Sequence, residues 1–128
     1  MKTCDLTGAA LDWAVAIANG VPAGDIVFTK GSGPWRRTRD GDGKLTGSYQ
    51  TGPEFRFHSK WEAAGPIIDR EDIDVISVGV KNFAARIENA SNVITAYGST
   101  RCIAAMRCFV RSKLGDEVDV PDELIKEY

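Results

Sequence analysis

The stretch from Gly98 to Pro121 constrains the fold most, because it specifies a capped helix, a stop and an extended segment in that order. Thr100 can cap a helix, since its hydroxyl oxygen can accept a hydrogen bond from a free amide of the first turn. Gly115 is typical of the residue that ends a helix. Beyond it, acidic and apolar residues alternate up to Pro121, which is typical of an edge strand. We therefore predict a helix over Thr100–Leu114, followed by a short strand.

This predicted helix has one apolar side and one basic side. At about 100° per residue, its large apolar side chains fall together, namely Cys102, Ile103, Met106, Phe109 and Val110. The other side carries Arg101, Arg107, Arg111 and Ser112. The apolar side predicts burial in the core, and nothing in the helix indicates catalysis.

A second helix is predicted near the start of the chain, over Thr7–Asn19. Thr7 is placed to cap it and Gly20 to end it. Asp12 is the one polar residue within an otherwise apolar run. A helix that is apolar on nearly every side is buried against more than one neighbour. We expect it to pack against the helix that ends at Gly115.

The region between the two helices predicts a mainly antiparallel sheet. β-Prone or alternating runs predict strands at Asp25–Thr29, Glu54–His58, Asp72–Val80 and Val93–Tyr97. Phe83–Glu88 is compatible with a strand or a helical turn, and Ser59–Pro66 is predicted to be a loop holding Trp61. The prediction is one α+β domain over residues 1–128, in which two main helices pack on one face of the sheet.

The segment 31–53 is rich in glycine and in basic residues. Trp35–Arg39 and Lys44–Tyr49 can pair as a hairpin across Asp40–Gly43, and a mobile loop is the alternative. In the hairpin, Arg39 would lie opposite Lys44, and facing like charges reduce stability. We therefore expect this segment to project from the body and to offer a contact surface.

Charge and hydropathy limit the kinds of partner that the protein can have. Lys30–Lys60 holds seven basic and three acidic residues, a formal charge of +4, while the whole chain carries −2. No apolar run reaches the length of a membrane span. Asp5 and Asp12 interrupt the apolar start, which favours a helix over a signal peptide. We expect a cytoplasmic protein that does not associate with membranes.

Residue types that perform chemistry are few and scattered. The single histidine, His58, is adjacent to Ser59, and neighbours on a strand face opposite ways, so a Ser–His relay is not available to them. The three cysteines lack paired spacing, and no phosphate loop, dinucleotide fingerprint or zinc spacing occurs. The carboxylates Asp69, Glu71, Asp72 and Asp74 are expected to face outward around a strand. The prediction is no enzyme, no disulfide, no metal and no cofactor.

Five segments together resemble a known family. They are Leu6–Ala16, Trp61 with Gly65–Ile68, Tyr97–Thr100, Ile103–Val110 and Lys113–Pro121. They cover about half the chain and resemble the NinX-like proteins of tailed bacteriophages and bacterial prophages. Arg101 replaces the proline that usually follows the capping threonine in that family, and 31–53 has no match. The resemblance implies a small cytoplasmic phage or prophage protein, and it offers no catalytic residues.

Two hypotheses of different classes follow. The first is an accessory interaction module that binds a host or phage protein. The second is a nucleic-acid-binding protein, because basic groups contact phosphates and aromatic groups stack on bases. Its candidate residues are Trp35, Arg36, Arg37, Arg39, Lys44 and Tyr49. A solvated segment whose arginines bind nothing is the alternative for those residues, and the sequence leaves the partner and the oligomeric state open.

Overall fold

The computed structural model describes residues 1–29, 33–50, 56–88, 91–122 and 124. Its helices are α1 (Gly8–Ala18), α2 (Trp61–Glu71) and α3 (Arg101–Leu114), besides two short 3-10 turns at Thr3–Asp5 and Ala23–Asp25. The strands are β1 (Ile26–Thr29), β2 (Gly33–Arg39), β3 (Leu45–Gln50), β4 (Asp74–Gly79), β5 (Asn82–Glu88) and β6 (Val93–Gly98). The class is α+β, as predicted. The described strands form two three-stranded antiparallel sheets, β1-β2-β3 and β4-β5-β6, and not the single sheet expected.

Helix α3 is the centre of the core and has the predicted ends. The Ile103 amide donates to Oγ1 of Thr100 at 3.2 Å, which confirms the cap. At the other end Gly115 has a φ of 88°, a conformation that favours glycine. Met106 and Phe109 are fully buried. The apolar side therefore faces inward, as the periodicity predicts.

The second sheet, β4–β6, lies against α3. Its inward-facing side chains, among them Ala85, Ile87 and Ala96, are buried. Strand β6 comes so close to the helix that a Cβ on Gly98 would lie 2.6 Å from the Ala104 amide nitrogen. Gly98 is thus required by close approach, because any side chain there would displace β6 from α3.

Helix α1 packs mainly on α3 and on β2. Leu11, Ala14 and Val15 are fully buried, as expected for a helix that is apolar nearly all round. Thr7 precedes the helix, but its side chain makes no capping bond. The predicted contact between the two main helices is present. The prediction that both lie on one face of one sheet is not confirmed, since α3 is the helix that covers β4–β6.

Helix α2 replaces the loop predicted over Ser59–Pro66. The helix contains Pro66, which cannot donate the helical hydrogen bond. The helix forms nevertheless, because Ala63, Ala64 and Ile67 are buried in the core and this packing outweighs one missing bond. The strand predicted over Glu54–His58 is also wrong where it is described, since Phe57, buried in the core, lies in a turn. Residues 54 and 55 lie outside the described residues.

The basic segment forms the predicted hairpin, β2–β3, over its described part, residues 33–50. The register differs from the prediction, because Arg39 lies opposite Leu45 and not Lys44. The connection runs over 40–44, with the Asp40 amide donating to the Lys44 carbonyl at 2.9 Å. The extra loop residue removes the predicted like-charge pair. Residues 31–32 and 51–53 of this segment lie outside the described part.

The N-terminal residues and the segment that follows α3, here called the paired chain ends, meet beside α3. Lys2 forms an isolated antiparallel bridge with Glu117, and the Val118 amide donates to the Met1 carbonyl at 2.9 Å. Val118 and Val120 are buried. The alternating run after Gly115 therefore has a buried side, but the predicted strand does not form, because the described residues of this run make a single isolated bridge.

Candidate functional site

The six residues proposed for nucleic-acid binding lie on the first sheet, β1–β3, and its connections. Trp35 is opposite Val27 on β1, and Tyr49 is opposite Arg37 across the hairpin. The side chains of Trp35 and Tyr49 lie outside the described part of the chain. Lys44 is exposed in the connection. The backbone thus brings the six residues to one sheet.

Arg39 forms an ion pair with a buried acid. Its Nε and Nη2 donate to the two carboxylate oxygens of Asp25 at 2.8 and 2.6 Å, and its Nη1 donates to the Gly43 carbonyl at 2.7 Å. The bonds from Arg39 hold the pKa of Asp25 below its usual value. Asp25 is only 3% exposed, so the pair fixes the turn before β1 to the hairpin. Arg39 thereby serves the fold.

The two neighbouring arginines are near the same acid. Arg36 and Arg37 add to the effect of Arg39 in lowering the pKa of Asp25, through their positive charges. Both are half-buried, and Nε of Arg37 is buried without a hydrogen-bond partner among the described residues. Part of the positive charge of the segment therefore balances an internal carboxylate.

A buried acid and the single histidine form a pair that the sequence did not reveal. Nδ1 of His58 lies 2.9 and 2.8 Å from the two carboxylate oxygens of Asp12, and the His58 amide donates to Oδ1 at 2.9 Å. Asp12 is 1% exposed. A signal was available, because a lone acid on an apolar helix needs a buried partner.

The pair engages Nδ1 of the ring, an arrangement that also orients histidines in catalytic and metal sites. Catalysis would require a nucleophile or metal ligands beside it. No group of three or more metal-ligating side chains occurs among the described residues. The pair joins α1 to the segment before α2, and we assign it that anchoring role.

The predicted outward acids near α2 are partly used in ion pairs. Glu71 lies 3.1 Å from Nε of Arg70 and 3.1 Å from Nζ of Lys113 on α3. Burial raises the pKa of Glu71, but the hydrogen bonds from Arg70 and Lys113 outweigh burial and leave the pKa lowered. Asp74 contacts Arg86 across β4 and β5. These carboxylates therefore have basic partners within the fold.

The side of the second sheet that faces away from α3, here called the outer face, exposes large apolar side chains. Ile76, Ala84 and Tyr97 are paired across the three strands and form a continuous row. Ile76 is 61% exposed and Tyr97 is 57% exposed. The β4–β5 connection adds Val80, which is 94% exposed. Such a cluster is unusual for a surface that only faces water.

A row of two charged residues and one threonine, here called the charged row, borders the apolar row on the outer face. Asp74, Arg86 and Thr95 pair across the same three strands, one position further along. Nη2 of Arg86 lies 3.7 Å from Asp74 and 3.8 Å from Glu88. An apolar centre with a polar border is the composition of a protein-binding surface.

A second feature, here called the edge groove, is a cavity of about 580 Å³ between the outer edge of β6 and the paired chain ends. Its basic lining residues are Lys2, Lys81, Arg107 and Arg111, and its acidic ones are Asp116 and Glu117. Tyr97 belongs both to this groove and to the outer face. The two features are therefore continuous.

Two arginines of α3 reach around the edge of β6. Nη1 of Arg107 donates to the Tyr97 carbonyl at 2.9 Å, and Nη1 of Arg111 donates to the Thr95 carbonyl at 2.8 Å. Arg107 is also fixed by a bond from Nε to the Leu6 carbonyl. Burial lowers the pKa of Arg107, but a guanidinium group in a protein stays protonated. Both cations are thus held at the groove.

The three cysteines form neither a disulfide nor a metal site among the described residues. Cys102 and Cys108 are buried, as expected of small apolar side chains, and Cys4 is exposed. Burial raises the pKa of Cys108 to about 11, so this thiol stays protonated at neutral pH.

A model of one protein family, described as bacteriophage P22, NinX, matches residues 2–113. The match includes α1, α2, both sheets and α3 up to Lys113, and it confirms the resemblance to this family seen in the sequence. No curated protein sequence matches the chain. None of the described helices is long and apolar enough to cross a bilayer.

Proposed function

Because the chain belongs to the family of the bacteriophage P22 protein NinX, we propose that it is a non-catalytic phage accessory protein that binds another protein in the host cytoplasm. The partner is a phage or host protein, and the outer face of the second sheet is the surface that binds it. The row of Ile76, Ala84 and Tyr97, in which Ile76 and Tyr97 are exposed and Ala84 is half-buried, carries this proposal.

The outer face has the features of a binding surface. Isolated exposed apolar residues are ordinary, but here they line up across three strands and continue into Val80 at the turn. Tyr97 supplies a large aromatic side chain, a type enriched among residues that dominate binding energy. The neighbouring charged row supplies the polar rim.

The other hypotheses have less support. The Asp12–His58 pair is placed as an anchor between segments. The nucleic-acid hypothesis has less support from one of its main cations, because Arg39 donates from two guanidinium nitrogens to Asp25 and from the third to the Gly43 carbonyl. Nucleic-acid binding through 35–49 stays a prediction, and its test is given below.

The test is capture of partners from phage-infected cells by the tagged protein, read by mass spectrometry. We expect one or more proteins to be recovered in stoichiometric amount with the wild type. The double variant Ile76→Asp, Val80→Asp should recover none of them, because two charges would be buried at the interface. Both positions are exposed, so the melting temperature of the double variant should equal that of the wild type.

The matched control is Leu45→Asp, which places the same charge on an apolar residue, 47% exposed, of the first sheet. It should recover the same partners as the wild type. Equal recovery by the double variant would refute the proposal. Sedimentation adds one more outcome: a wild-type dimer that the double variant disrupts would make a second copy of this chain the occupant of the outer face.

A further inference from the structure

We propose that the edge groove binds an extended acidic segment, which adds to β6 as a fourth strand of the second sheet. This inference rests on the proposed function, because it names the part of the partner protein that the chain recognises. It concerns a different set of groups, namely the open edge of β6 and the cations around it.

The edge of β6 offers backbone donors. The carbonyl groups of Thr95 and Tyr97 accept from guanidinium groups that lie outside the sheet, so they face the open edge. The N–H and C=O of one strand residue point to the same side, so the amides of Thr95 and Tyr97 face the edge too. No backbone acceptor outside the sheet is bonded to either amide among the described residues.

These donors suit the carbonyl groups of an added strand. Residues two apart on a strand are separated by about 7 Å, and an incoming strand repeats at the same interval. The carbonyl groups of Thr95 and Tyr97 already accept one bond each from an arginine, and each has a second lone pair for an incoming amide. Strand addition therefore does not require the arginines to move from their places.

The geometry also specifies the side-chain pattern of the added strand. Successive side chains of a strand point to opposite faces. Those on the α3 side would meet Arg107 and Arg111, and those on the other side would extend the outer face beside Tyr97. The recognised segment should therefore alternate acidic and apolar residues.

The charge of the groove favours carboxylates over neutral groups. Four basic and two acidic side chains line it, and the pair between Arg111 and Asp116, at 2.6 Å, accounts for one of each. Among the other described residues that line the groove, Lys2, Lys81 and Arg107 are basic and Glu117 is acidic. Asp5, which does not line the groove, also lies near Arg107, so the groove keeps an excess of positive charge. An acidic strand would compensate this excess, since charge-assisted bonds to arginine are stronger than neutral ones.

A second copy of this chain does not fit the groove. Pairing β6 with β6 of a copy would place Arg107 and Arg111 against the same cations, and like charges facing each other are unfavourable. The chain has its own alternating acidic run, 117–120, but Val118 and Val120 are buried and hold it in place. The segment must therefore come from a different protein.

The probe for the test is an end-blocked peptide of about eight residues, a length typical of strands, that alternates Glu and Val. We expect saturable binding to the full chain, with slowed hydrogen exchange at the amides of Thr95 and Tyr97. Thr95→Pro removes one edge donor and should weaken binding about three- to tenfold, since proline is tolerated on edge strands. Thr95→Val keeps the amide and is the matched control.

A second variant tests the same proposal in case Thr95→Pro does not fold. Lys2→Gln with Lys81→Asn removes two exposed cations, and asparagine tolerates the positive φ of 49° at position 81. This double variant should bind the Glu–Val peptide more weakly and lose much of the salt dependence. A Lys–Val peptide should not bind to the wild type.

Several results would overturn this inference. One is that the Glu–Val peptide shows no saturable binding to the wild type, and another is that the Lys–Val peptide or an oligonucleotide binds to it as tightly as the Glu–Val peptide. Equal affinity of Thr95→Pro and Thr95→Val for the Glu–Val peptide would also contradict strand addition. If Thr95→Pro folds and still captures the partner that Ile76→Asp, Val80→Asp loses, strand addition fails while the proposed function stands. If the outer-face variant captures the partner as wild type does, the proposed function fails first.

Discussion

The first sheet, β1–β3, and the second sheet, β4–β6, are both three-stranded and antiparallel, yet they use their side chains differently. The first sheet carries most of the basic segment, and its Arg39 neutralises the buried Asp25. The second sheet exposes Ile76 and Tyr97 while its charges border them. A high local charge is therefore a weak guide to a binding surface, because charges that already have partners within the fold are less available to a ligand.

The difference depends on α3, which supports the second sheet and not the first. Met106→Asp would place a charge at a fully buried position of this helix, and we expect loss of folding, since a buried unpaired charge costs more than about 4 kcal/mol. Circular dichroism and thermal melting measure it. The control is Met106→Leu, which keeps the volume and should fold. A folded Met106→Asp protein would show that α3 is not the core described here.

The Asp12–His58 pair ties α1 to the segment that follows the first sheet. Asp12→Ala should reduce the free energy of unfolding by about 1–3 kcal/mol, because the His58 amide and ring both lose their acceptor in a buried place. Denaturant titration measures the change. Asp12→Asn keeps one acceptor oxygen and should lie between the two. Equal stability of all three proteins would contradict the anchoring role.

The ion pair of the first sheet should give a smaller, pH-dependent effect. Arg39→Ala should lower the melting temperature near neutral pH, because Asp25 loses its main partner. The Arg39 side chain is 44% exposed, so water compensates for part of the loss. The pKa of Asp25 is lowered from 3.8, so its stabilisation is present above about pH 3.8 and is lost as the pH falls through the lower folded value.

The check compares melting temperatures of wild type and Arg39→Ala near pH 7 and near pH 3. The difference between the two proteins should shrink on acidification. Arg39→Lys keeps the charge without the forked geometry and should recover only part of the stability. A difference that does not change with pH would mean that Asp25 is not the partner that matters.

Local signals in the sequence predicted the helices α1 and α3 and most strands. Thr100 and Gly115 act within one helix, so the sequence displays both ends of α3. Helix α2 was missed because Pro66 argues against a helix locally, while burial of Ala64 and Ile67 depends on the rest of the fold. Sequence patterns report local preference well and tertiary compensation poorly.

The candidate site was less predictable than the fold. The pair of Asp12 and His58 joins residues 46 positions apart. The edge groove brings together Lys2, Arg107 and Glu117 from opposite ends of the chain. Arg107 and Arg111 could be placed on one helix face, but the carbonyl groups that they contact belong to β6. The sequence shows which residues are charged, whereas only the structure shows which charges are paired with each other.

The smallest effect is expected from the exposed charge of the first sheet, and it decides between the two hypotheses for the basic segment. Lys44→Ala should leave the melting temperature unchanged, because an exposed cation contributes little. If the segment binds nucleic acid, Lys44→Ala with Arg36→Ala should weaken binding to single-stranded or duplex DNA at low salt, and wild-type affinity should fall steeply as salt increases. We expect no nucleic-acid binding by the wild type and therefore no effect of the double variant or of salt, since Arg36 and Arg37 are half-buried around Asp25. Salt-dependent wild-type binding that this double variant loses would move the binding surface from the second sheet to the first.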